Sequence, residues 1–245
     1  MTASGETGSG KSSAFKTITT EWVKLGKKSD KKVSLKMVQG VQRLLSVFGS
    51  ASIAGSLHAT RFVFYQEFQF SNAGNLLGIK TLDYGLESNR IVSSCKDESN
   101  FDVFYLLLNG ATREEKIKWH LKDASHYNYL NNYGLSQTFS QDDFLNIKKS
   151  LKSIGIGSKV QDQIFSLLSG ILLLGEVEFM NDTVSKQEAC SIKNPDLLGV
   201  IAELFGVDPT GIGNLLTFES KVIQNDICTL FLNEGEAVSS IMINF

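Results

Sequence analysis

The sequence predicts a mixed α/β fold, and the patterning of the chain supports this in three places. In residues 10–25, apolar side chains recur on one face at the spacing of a helix. Residues 61–70 and 76–83 are rich in β-branched and aromatic side chains, and the turn-forming sequence SNAGN separates them, so they should pair as an antiparallel hairpin. From Asn100 onward the apolar residues recur mainly at helical spacing. The chain should therefore consist of a part with strands, 1–92, and a mainly helical part, 93–245.

Further helices follow from the same periodicity. After a polar break at 26–32, residues 33–48 repeat apolar side chains at helical spacing. Gly55 should lie in a loop that leads from this helix to the first strand. In the second part, acidic residues near Asp142 and a proline at position 195 favour helix starts. The predicted helices of that part cover 101–111, 113–121, 141–156, 160–179 and 194–206.

The clearest motif of the chain is a phosphate-binding loop. Residues 5–12, GETGSGKS, fit the pattern G-x-x-x-x-G-K-[ST]. Small residues that tolerate positive φ let successive backbone N–H groups turn towards an anion. Lys11 would reach the terminal phosphates of a nucleotide, and the Ser12 hydroxyl would ligate Mg²⁺. The fold class is therefore predicted to be the α/β fold of the P-loop NTPases. The predicted binding residues of this loop are Gly5, Glu6, Thr7, Gly8, Ser9, Gly10, Lys11 and Ser12.

An alternative interpretation of these residues is a flexible N-terminus rich in glycine and serine. A phosphate loop normally lies between a buried strand and its helix, and only Met1 to Ser4 precede Gly5. These four residues are too few and too polar to form that strand. We therefore expect either a fragment of a longer protein or a loop that is poorly anchored.

Composition and charge exclude several other classes of protein. The 245 residues carry 42% apolar and 20% charged side chains, which is typical of a globular chain with a sizeable core. A net charge of −2 gives no electrostatic reason to expect nucleic acid as a partner. The three cysteines are far apart in the sequence, which favours a reducing compartment over a disulfide framework or a zinc site. No apolar run is long enough to insert into a membrane, so a cytoplasmic chain is predicted.

A second polar segment could complete a nucleotide site. Phosphoryl transfer needs a hydroxyl ligand for Mg²⁺ and a positive charge near the γ-phosphate, in addition to the phosphate loop. Residues 56–62, SLHATRF, should lie in the loop before the first strand, and they offer the Thr60 hydroxyl and the Arg61 guanidinium. The alternative is a polar loop in which Arg61 pairs with a surface carboxylate. The residues themselves leave both interpretations open.

Several quoted segments together resemble a myosin motor domain, in the order and spacing of that family. Within myosins, the amino-acid sequence of residues 78–90 is most similar to the motor-like domain at the N-terminus of certain fungal chitin synthases. The segments are GETGSGKS at 5–12, ATRF at 59–62, GIKTLDYGLESNR at 78–90, NFDVFYLLLNGA at 100–111, HYNYLNN at 126–132 and IFSLLSGILLLGEVEF at 164–179.

The resemblance implies ATP and Mg²⁺ as cofactors. It makes residues 5–12 the ATP phosphate loop and residues 56–61 the first switch, in which Ser56 and Thr60 contribute to the site. Thr60 would ligate Mg²⁺ with Ser12, while Lys11 and Arg61 would act on the phosphates. The hairpin at 61–83 would belong to the transducer sheet.

This chain departs from the family pattern in the first switch. Myosins usually show N-x-x-S-S-R-F-G-K there, whereas this chain has Ser56 for the asparagine and Ala59 for the first serine. Val63 and Phe64 stand where Gly-Lys is usual. Because Ala59 has no hydroxyl with which to guide a proton or water, the resemblance puts hydrolysis in doubt.

The second switch of the family is not found in this chain. The string DYGLE at 83–87 has one residue too few between Asp83 and Gly85 for D-x-x-G-x-E, and the family pattern places it in a structural connection. The true second switch would follow Phe245, and the adenine-binding loop would precede Met1. We therefore expect a partial motor core whose domain extends beyond both ends of the chain and which has no ATPase activity alone.

The resemblance implies two functions of different classes. The first is an ATP-binding segment of a cytoskeletal motor that couples MgATP to actin in the complete protein, in the cytoplasm and on the actin cytoskeleton. The second is a degenerate, non-hydrolysing module that tethers or regulates a membrane-bound fungal chitin synthase, at the plasma membrane or on secretory vesicles. The replacements at Ala59 and at 63–64 favour the second.

Overall fold

The computed structural model describes residues 2–26, 33–130, 139–181, 189–223 and 226–244. Most of the polar break predicted at 26–32 lies outside these residues, as do the last two residues of the segment 126–132. None of the helices in the described ranges is both long and apolar enough to cross a membrane. The α-helices in these ranges are α1 (Lys11–Leu25), α2 (Leu35–Gly49), α3 (Asp102–Gly110), α4 (Arg113–Lys118), α5 (Gln141–Ser153), α6 (Ser158–Leu174), α7 (Pro195–Phe205), α8 (Pro209–Thr217) and α9 (Glu234–Asn244).

The strands of the described residues form antiparallel pairs of neighbours in the sequence, β1 with β2, β3 with β4, β5 with β6 and β7 with β8. Their bounds are β1 (Ser50–Ile53), β2 (Ser56–Thr60), β3 (Val63–Phe70), β4 (Leu76–Tyr84), β5 (Phe179–Asn181), β6 (Cys190–Ile192), β7 (Phe218–Ile223) and β8 (Asp226–Phe231).

The structure confirms the mixed helix and strand composition and most predicted elements. Helices α1 and α2 and the hairpin of β3 and β4 lie where the apolar periodicity predicts them. The predicted helix start before Asp142 is confirmed by a capping box, in which the Ser140 hydroxyl accepts from the Asp143 N–H and the Asp143 carboxylate accepts from the Ser140 N–H. The periodicity does not predict the pairs β5–β6 and β7–β8.

The prediction of a loop between α2 and β3 was wrong. Residues 50–60 form the hairpin of β1 and β2, in which Ser50 lies opposite Thr60 and Ala51 opposite Ala59. Gly55, at φ 82°, occupies the turn, where a residue with a side chain would be strained. Because Ser50–Ile53 consists mostly of small residues, it lacks the alternation of large apolar side chains by which a strand is recognised in a sequence.

The chain divides into two compact units, and the first contains the glycine-rich segment of residues 5–12. It comprises Met1–Arg90, Ser94–Thr112 and Asn132–Gln161. Helix α3 lies at its centre, since every residue from Asp102 to Leu108 is buried. Helix α5 packs against both α2 and α3. At the end of α3, Gly110 allows the Phe144 ring of α5 to approach the backbone, because an added Cβ would overlap that ring.

The second unit comprises Ile91–Ser93, Arg113–Asn131 and Asp162–Phe245. Serine side chains of α6 bond to backbone carbonyls there: Ser166 Oγ donates to Leu204 O at 3.0 Å, and Ser169 Oγ donates to Trp119 O at 2.5 Å. Gly170 leaves room for the Phe205 ring. The Ser166 bond and the Phe205 ring join α6 to α7, and the Ser169 bond joins α6 to the segment after α4.

Two glycine substitutions should shift stability in opposite directions. Gly110→Ala places a methyl group against Phe144 and should lower the free energy of unfolding by about 1–3 kcal/mol through overpacking. Gly199→Ala in the exposed face of α7 meets no atom within 4 Å and should raise it by about 0.5–1 kcal/mol through helix propensity. Urea unfolding of both variants checks this. A Gly110→Ala variant as stable as the unsubstituted chain would contradict the close packing of α3 on α5.

Candidate functional site

The glycine-rich segment, residues 5–12, runs into the first turn of α1. Gly10 caps the helix in the left-handed conformation, with φ 84°, and no side chain bonds to the free N–H groups of the first turn. A residue with a Cβ would be strained at this position. The N-terminus of α1 therefore presents backbone donors and the positive end of the helix dipole beside residues 5–10.

Lys11 closes the segment into a ring. Its Nζ donates to Gly5 O at 2.6 Å and to Glu6 O at 2.5 Å. Both acceptors are neutral carbonyls, and hydrogen bonds from an ammonium group to phosphate oxygens are stronger than such bonds. Lys11, which the sequence predicts to contact the phosphates, therefore bonds to the backbone of the predicted phosphate loop.

A contact between distant parts of the sequence joins α1 to β2. The Ser12 and Thr60 hydroxyl oxygens lie 3.0 Å apart. Mg²⁺ takes six oxygen ligands at about 2.0–2.1 Å in octahedral geometry, so neighbouring ligand atoms lie roughly 2.9 Å apart. The two hydroxyls form a hydrogen bond, and the same separation would suit adjacent positions on one Mg²⁺ ion.

A cavity of about 410 Å³ opens between the glycine-rich segment and β2, and we call it the loop cavity. It is lined by Thr7, Gly8, Gly10, Lys11, Ser12, Lys16 and neighbouring residues of the two hairpin strands, including Ser56 and Thr60. Two lysines and the N-terminus of α1 make its wall positive. Four predicted site residues, although described, do not line it: Gly5, Glu6, Ser9 and Arg61.

The alternation of β2 explains which side chains face the loop cavity. Since side chains of a strand point alternately to its two faces, Ser56 and His58 share the face of Thr60. Ala59 belongs to the other face; it is 1% exposed and pairs with Ala51, although it also borders the loop cavity. The strand alternation therefore turns the Ala59 side chain away from the face that Ser56, His58 and Thr60 share.

His58 is held by a carboxylate that the sequence does not single out. Its Nδ1 lies 3.2 Å from Oδ2 of Asp102, a buried residue at the start of α3. Burial raises the pKa of Asp102 above its ordinary value, although the bond to His58 acts in the opposite direction. A strand at residues 56–60 would have placed His58 on the face of Thr60, but the sequence predicts a loop there. Nothing local in the sequence points to Asp102.

Arg61 takes part in a chain of ion pairs that leads away from the loop cavity. Its Nε donates to Glu87 Oε2 at 2.5 Å. Glu87 also accepts two bonds from Arg90, whose side chain is 1% exposed. Arg90 in turn donates to Glu98 at 2.6 Å and to Ser99 O at 2.9 Å. In this structure, then, the carboxylate partner of Arg61 is Glu87.

An aromatic groove holds α1 against β3. Phe15 meets Phe64 edge-on at 4.7 Å between ring centroids, and Trp22 meets Phe68 at 5.1 Å. This groove is larger than the loop cavity, at about 550 Å³. Neither Lys11 nor Thr60 lines this groove. We therefore assign its aromatic side chains to the packing of α1 and not to the candidate functional site.

Comparison with known families decides what this arrangement belongs to. The family model of the myosin head (motor domain) matches residues 1–241. The chain belongs to the myosin head family. Among curated relatives it is 32% identical to chitin synthase 8 of Mycosarcoma maydis, over 95% of this chain and 12% of the relative. It is 33% identical to chitin synthase 5 of Cryptococcus neoformans var. grubii, over 96% of the chain and 12% of the relative.

Proteins named as myosins match this myosin head sequence as well. The Myosin IA heavy chain of Dictyostelium discoideum is 32% identical over 97% of the chain and 23% of its own length. Unconventional myosin-IXb of Rattus norvegicus is 30% identical over 97% of the chain and 12% of its own length. The chain thus spans between about one eighth and one quarter of these relatives.

Replacing Glu87 should reduce the acid sensitivity of this myosin head segment. Burial raises the pKa of Glu87, but hydrogen bonds and positive charges of Arg61 and Arg90 outweigh this and hold the pKa below its ordinary value of 4.5. The stabilisation is thus complete above pH 4.5 and is lost as the pH falls through the lower folded-state pKa. Glu87→Gln should therefore lose less stability than the unsubstituted chain between about pH 6 and about pH 3.

Urea unfolding at a series of pH values measures this difference. Glu21→Gln is the matched control, because Glu21 forms an exposed ion pair with Lys24 and should contribute little to the pH dependence. Identical pH dependence in the Glu87→Gln variant and the unsubstituted chain would contradict the assignment.

Proposed function

We propose that this chain binds MgATP in the loop cavity, as part of a myosin-type motor domain. The 3.0 Å separation of the Ser12 and Thr60 hydroxyls carries the proposal, because it matches two adjacent ligands of one Mg²⁺ ion. Lys11 and the N-terminus of α1, placed on the same cavity, support an anionic ligand. The match of the myosin head family over residues 1–241 supports a nucleotide as the source of that anion.

Each residue of the loop cavity has a distinct part in this proposal. The N–H groups of residues 7–11 orient the phosphates, and Lys11 exchanges its bonds to Gly5 and Glu6 for bonds to the β- and γ-phosphates. Ser12 and Thr60 hold Mg²⁺, which neutralises phosphate charge when it is bound. Ser56 borders the same cavity on the face of β2 shared with Thr60.

The position of Arg61 does not allow its guanidinium to contact a γ-phosphate in the loop cavity. Its guanidinium is bonded to Glu87, and it does not line the loop cavity. Closing the site over the γ-phosphate would require Arg61 to leave that bond or to use its other N–H groups. A carboxylate that orients the attacking water would also be needed. We therefore propose that the chain alone binds MgATP without turnover, and that hydrolysis and actin coupling belong to the complete protein.

Two relatives favour a second candidate function. Chitin synthases 8 and 5 match over nearly the whole chain, so this head could belong to a chitin synthase and act as a tether or regulator without hydrolysis. Phosphate release by the complete protein distinguishes the two candidates. Steady release that Lys11→Ala abolishes would support the motor; nucleotide binding without release would support the tether.

Nucleotide binding should depend on Lys11 and, through Mg²⁺, on Thr60. Lys11→Ala should weaken binding of a fluorescent ATP analogue by about tenfold or more, since it removes a charge-assisted bond to phosphate. Thr60→Val, which keeps the shape but not the hydroxyl, should weaken binding in Mg²⁺ and leave binding in EDTA nearly unchanged. Fluorescence titration in both buffers measures these effects.

Lys24→Ala is the control for these titrations. Lys24 lies on the same helix as Lys11 and pairs with Glu21 at the surface, so its removal should leave the affinity unchanged. If Lys11→Ala bound the analogue as tightly as the control, the site assignment would be wrong. If Thr60→Val lost the same affinity in Mg²⁺ and in EDTA, its role as a metal ligand would be wrong.

A further inference from the structure

Thr60, one of the two proposed Mg²⁺ ligands, is the last residue of β2. Its partner Ser50 is the first residue of β1, so this pair lies at the end of the hairpin away from the turn. Strand ends open more easily than strand centres, because a terminal pair has neighbouring pairs on one side only. The position of the Thr60 hydroxyl therefore depends on what holds the residues that follow it.

Arg61, the next residue, is held through its backbone on two sides. Its N–H donates to Gly49 O at 2.8 Å, and its carbonyl accepts from the Glu87 N–H at 3.1 Å. Gly49 also leaves room for the Phe62 ring, because a Cβ at this position would lie 2.4 Å from a ring carbon. The backbone after Thr60 is thus joined both to the end of α2 and to the segment after β4.

The Glu87 side chain holds the side chain of Arg61 as well. Its Oε2 accepts from Arg61 Nε at 2.5 Å and from Arg90 Nε at 3.1 Å, and its Oε1 accepts from Arg90 Nη2 at 3.1 Å. Such bonds between charged groups are stronger than bonds between neutral ones. The Arg90 side chain is buried and bonds also to Glu98 and to Ser99 O. Arg61 is therefore tied to a fixed point in the first unit.

We propose that Glu87 is a positioning residue for the metal site of the loop cavity, acting through Arg61 on Thr60. This inference rests on the proposed function, because it needs Thr60 to be a Mg²⁺ ligand. Glu87, although described, does not line the loop cavity, so it acts without touching the ion. Its carboxylate fixes Arg61 and so keeps the neighbouring Thr60 hydroxyl 3.0 Å from that of Ser12. Replacing a residue that orients a metal ligand typically lowers metal affinity about tenfold to a hundredfold.

The test compares binding of a fluorescent ATP analogue to the whole chain in Mg²⁺ and in EDTA. Glu87→Gln should weaken binding in Mg²⁺ by about tenfold and leave binding in EDTA nearly unchanged. A general loss of stability would instead lower binding in both buffers. Arg61→Gln removes the same ion pair but leaves Glu87 bonded to the buried Arg90, so this variant should fold even if Glu87→Gln does not. It should reduce the effect of Mg²⁺ in the same way.

A double variant tests the route through Thr60. Because Thr60→Val already removes the proposed ligand, adding Glu87→Gln to it should weaken binding in Mg²⁺ no further. Glu98→Gln is the matched control, since it removes another carboxylate that bonds to Arg90 and leaves the bond between Arg61 and Glu87 in place. The ratio of its affinities in the two buffers should equal that of the unsubstituted chain.

The outcomes separate the role of Glu87 from MgATP binding itself. Unchanged binding in Mg²⁺ for both Glu87→Gln and Arg61→Gln, or equal losses in Mg²⁺ and in EDTA, would overturn this inference alone. A further loss in the double variant would mean that Glu87 acts by a route other than Thr60, and would overturn it too. If the unsubstituted chain bound the analogue equally well in both buffers, or not at all, the proposed Mg²⁺ site would be wrong and this inference with it.

Discussion

The pairing of β1 with β2 is the constraint on which the candidate site depends. Because Ser50 lies opposite Thr60, β2 is fixed in register to a strand that continues directly from α2. A shift of one residue would turn the Thr60 side chain to the opposite face of the hairpin. The bond between the Ser12 and Thr60 hydroxyls requires this register. The contact of the two hydroxyls is thus a consequence of backbone pairing in a hairpin of small residues.

A buried arginine ties this hairpin region to the rest of the first unit. Arg90 bonds to Glu87, to Glu98 and to the carbonyl of Ser99, so the segment after β4 is joined to the segment before α3. Ser99 in turn bonds to the backbone of Ser52 in β1. Buried charges are tolerated only when they are paired in this way. The same set of bonds holds the Arg61 guanidinium through Glu87 and so fixes the orientation of this predicted site residue.

The sequence predicts those parts of the fold that have a strong local pattern. Helix α1 and the hairpin of β3 and β4 follow from the spacing of large apolar residues, and residues 5–12 follow from a motif with a chemical reason for each fixed position. The sequence does not predict the hairpin of β1 and β2, because β1 (Ser50–Ile53) has no such pattern. The pairing of the two strands is visible only in three dimensions. The contacts of His58 with Asp102 and of Arg61 with Glu87 join positions 44 and 26 residues apart, a distance at which local periodicity carries no information.

The ring formed by Lys11 has a thermodynamic consequence for ligand binding. Because the ammonium bonds to the carbonyls of Gly5 and Glu6, the segment already has a closed shape before any anion arrives. Under the proposed function, an entering phosphate would replace two existing acceptors of an already closed segment, so little conformational entropy would be lost. A neutral ligand could not outcompete carbonyls for the ammonium, whereas a multiply charged one could. The ring would therefore make the proposed site select its ligand by charge more than by shape.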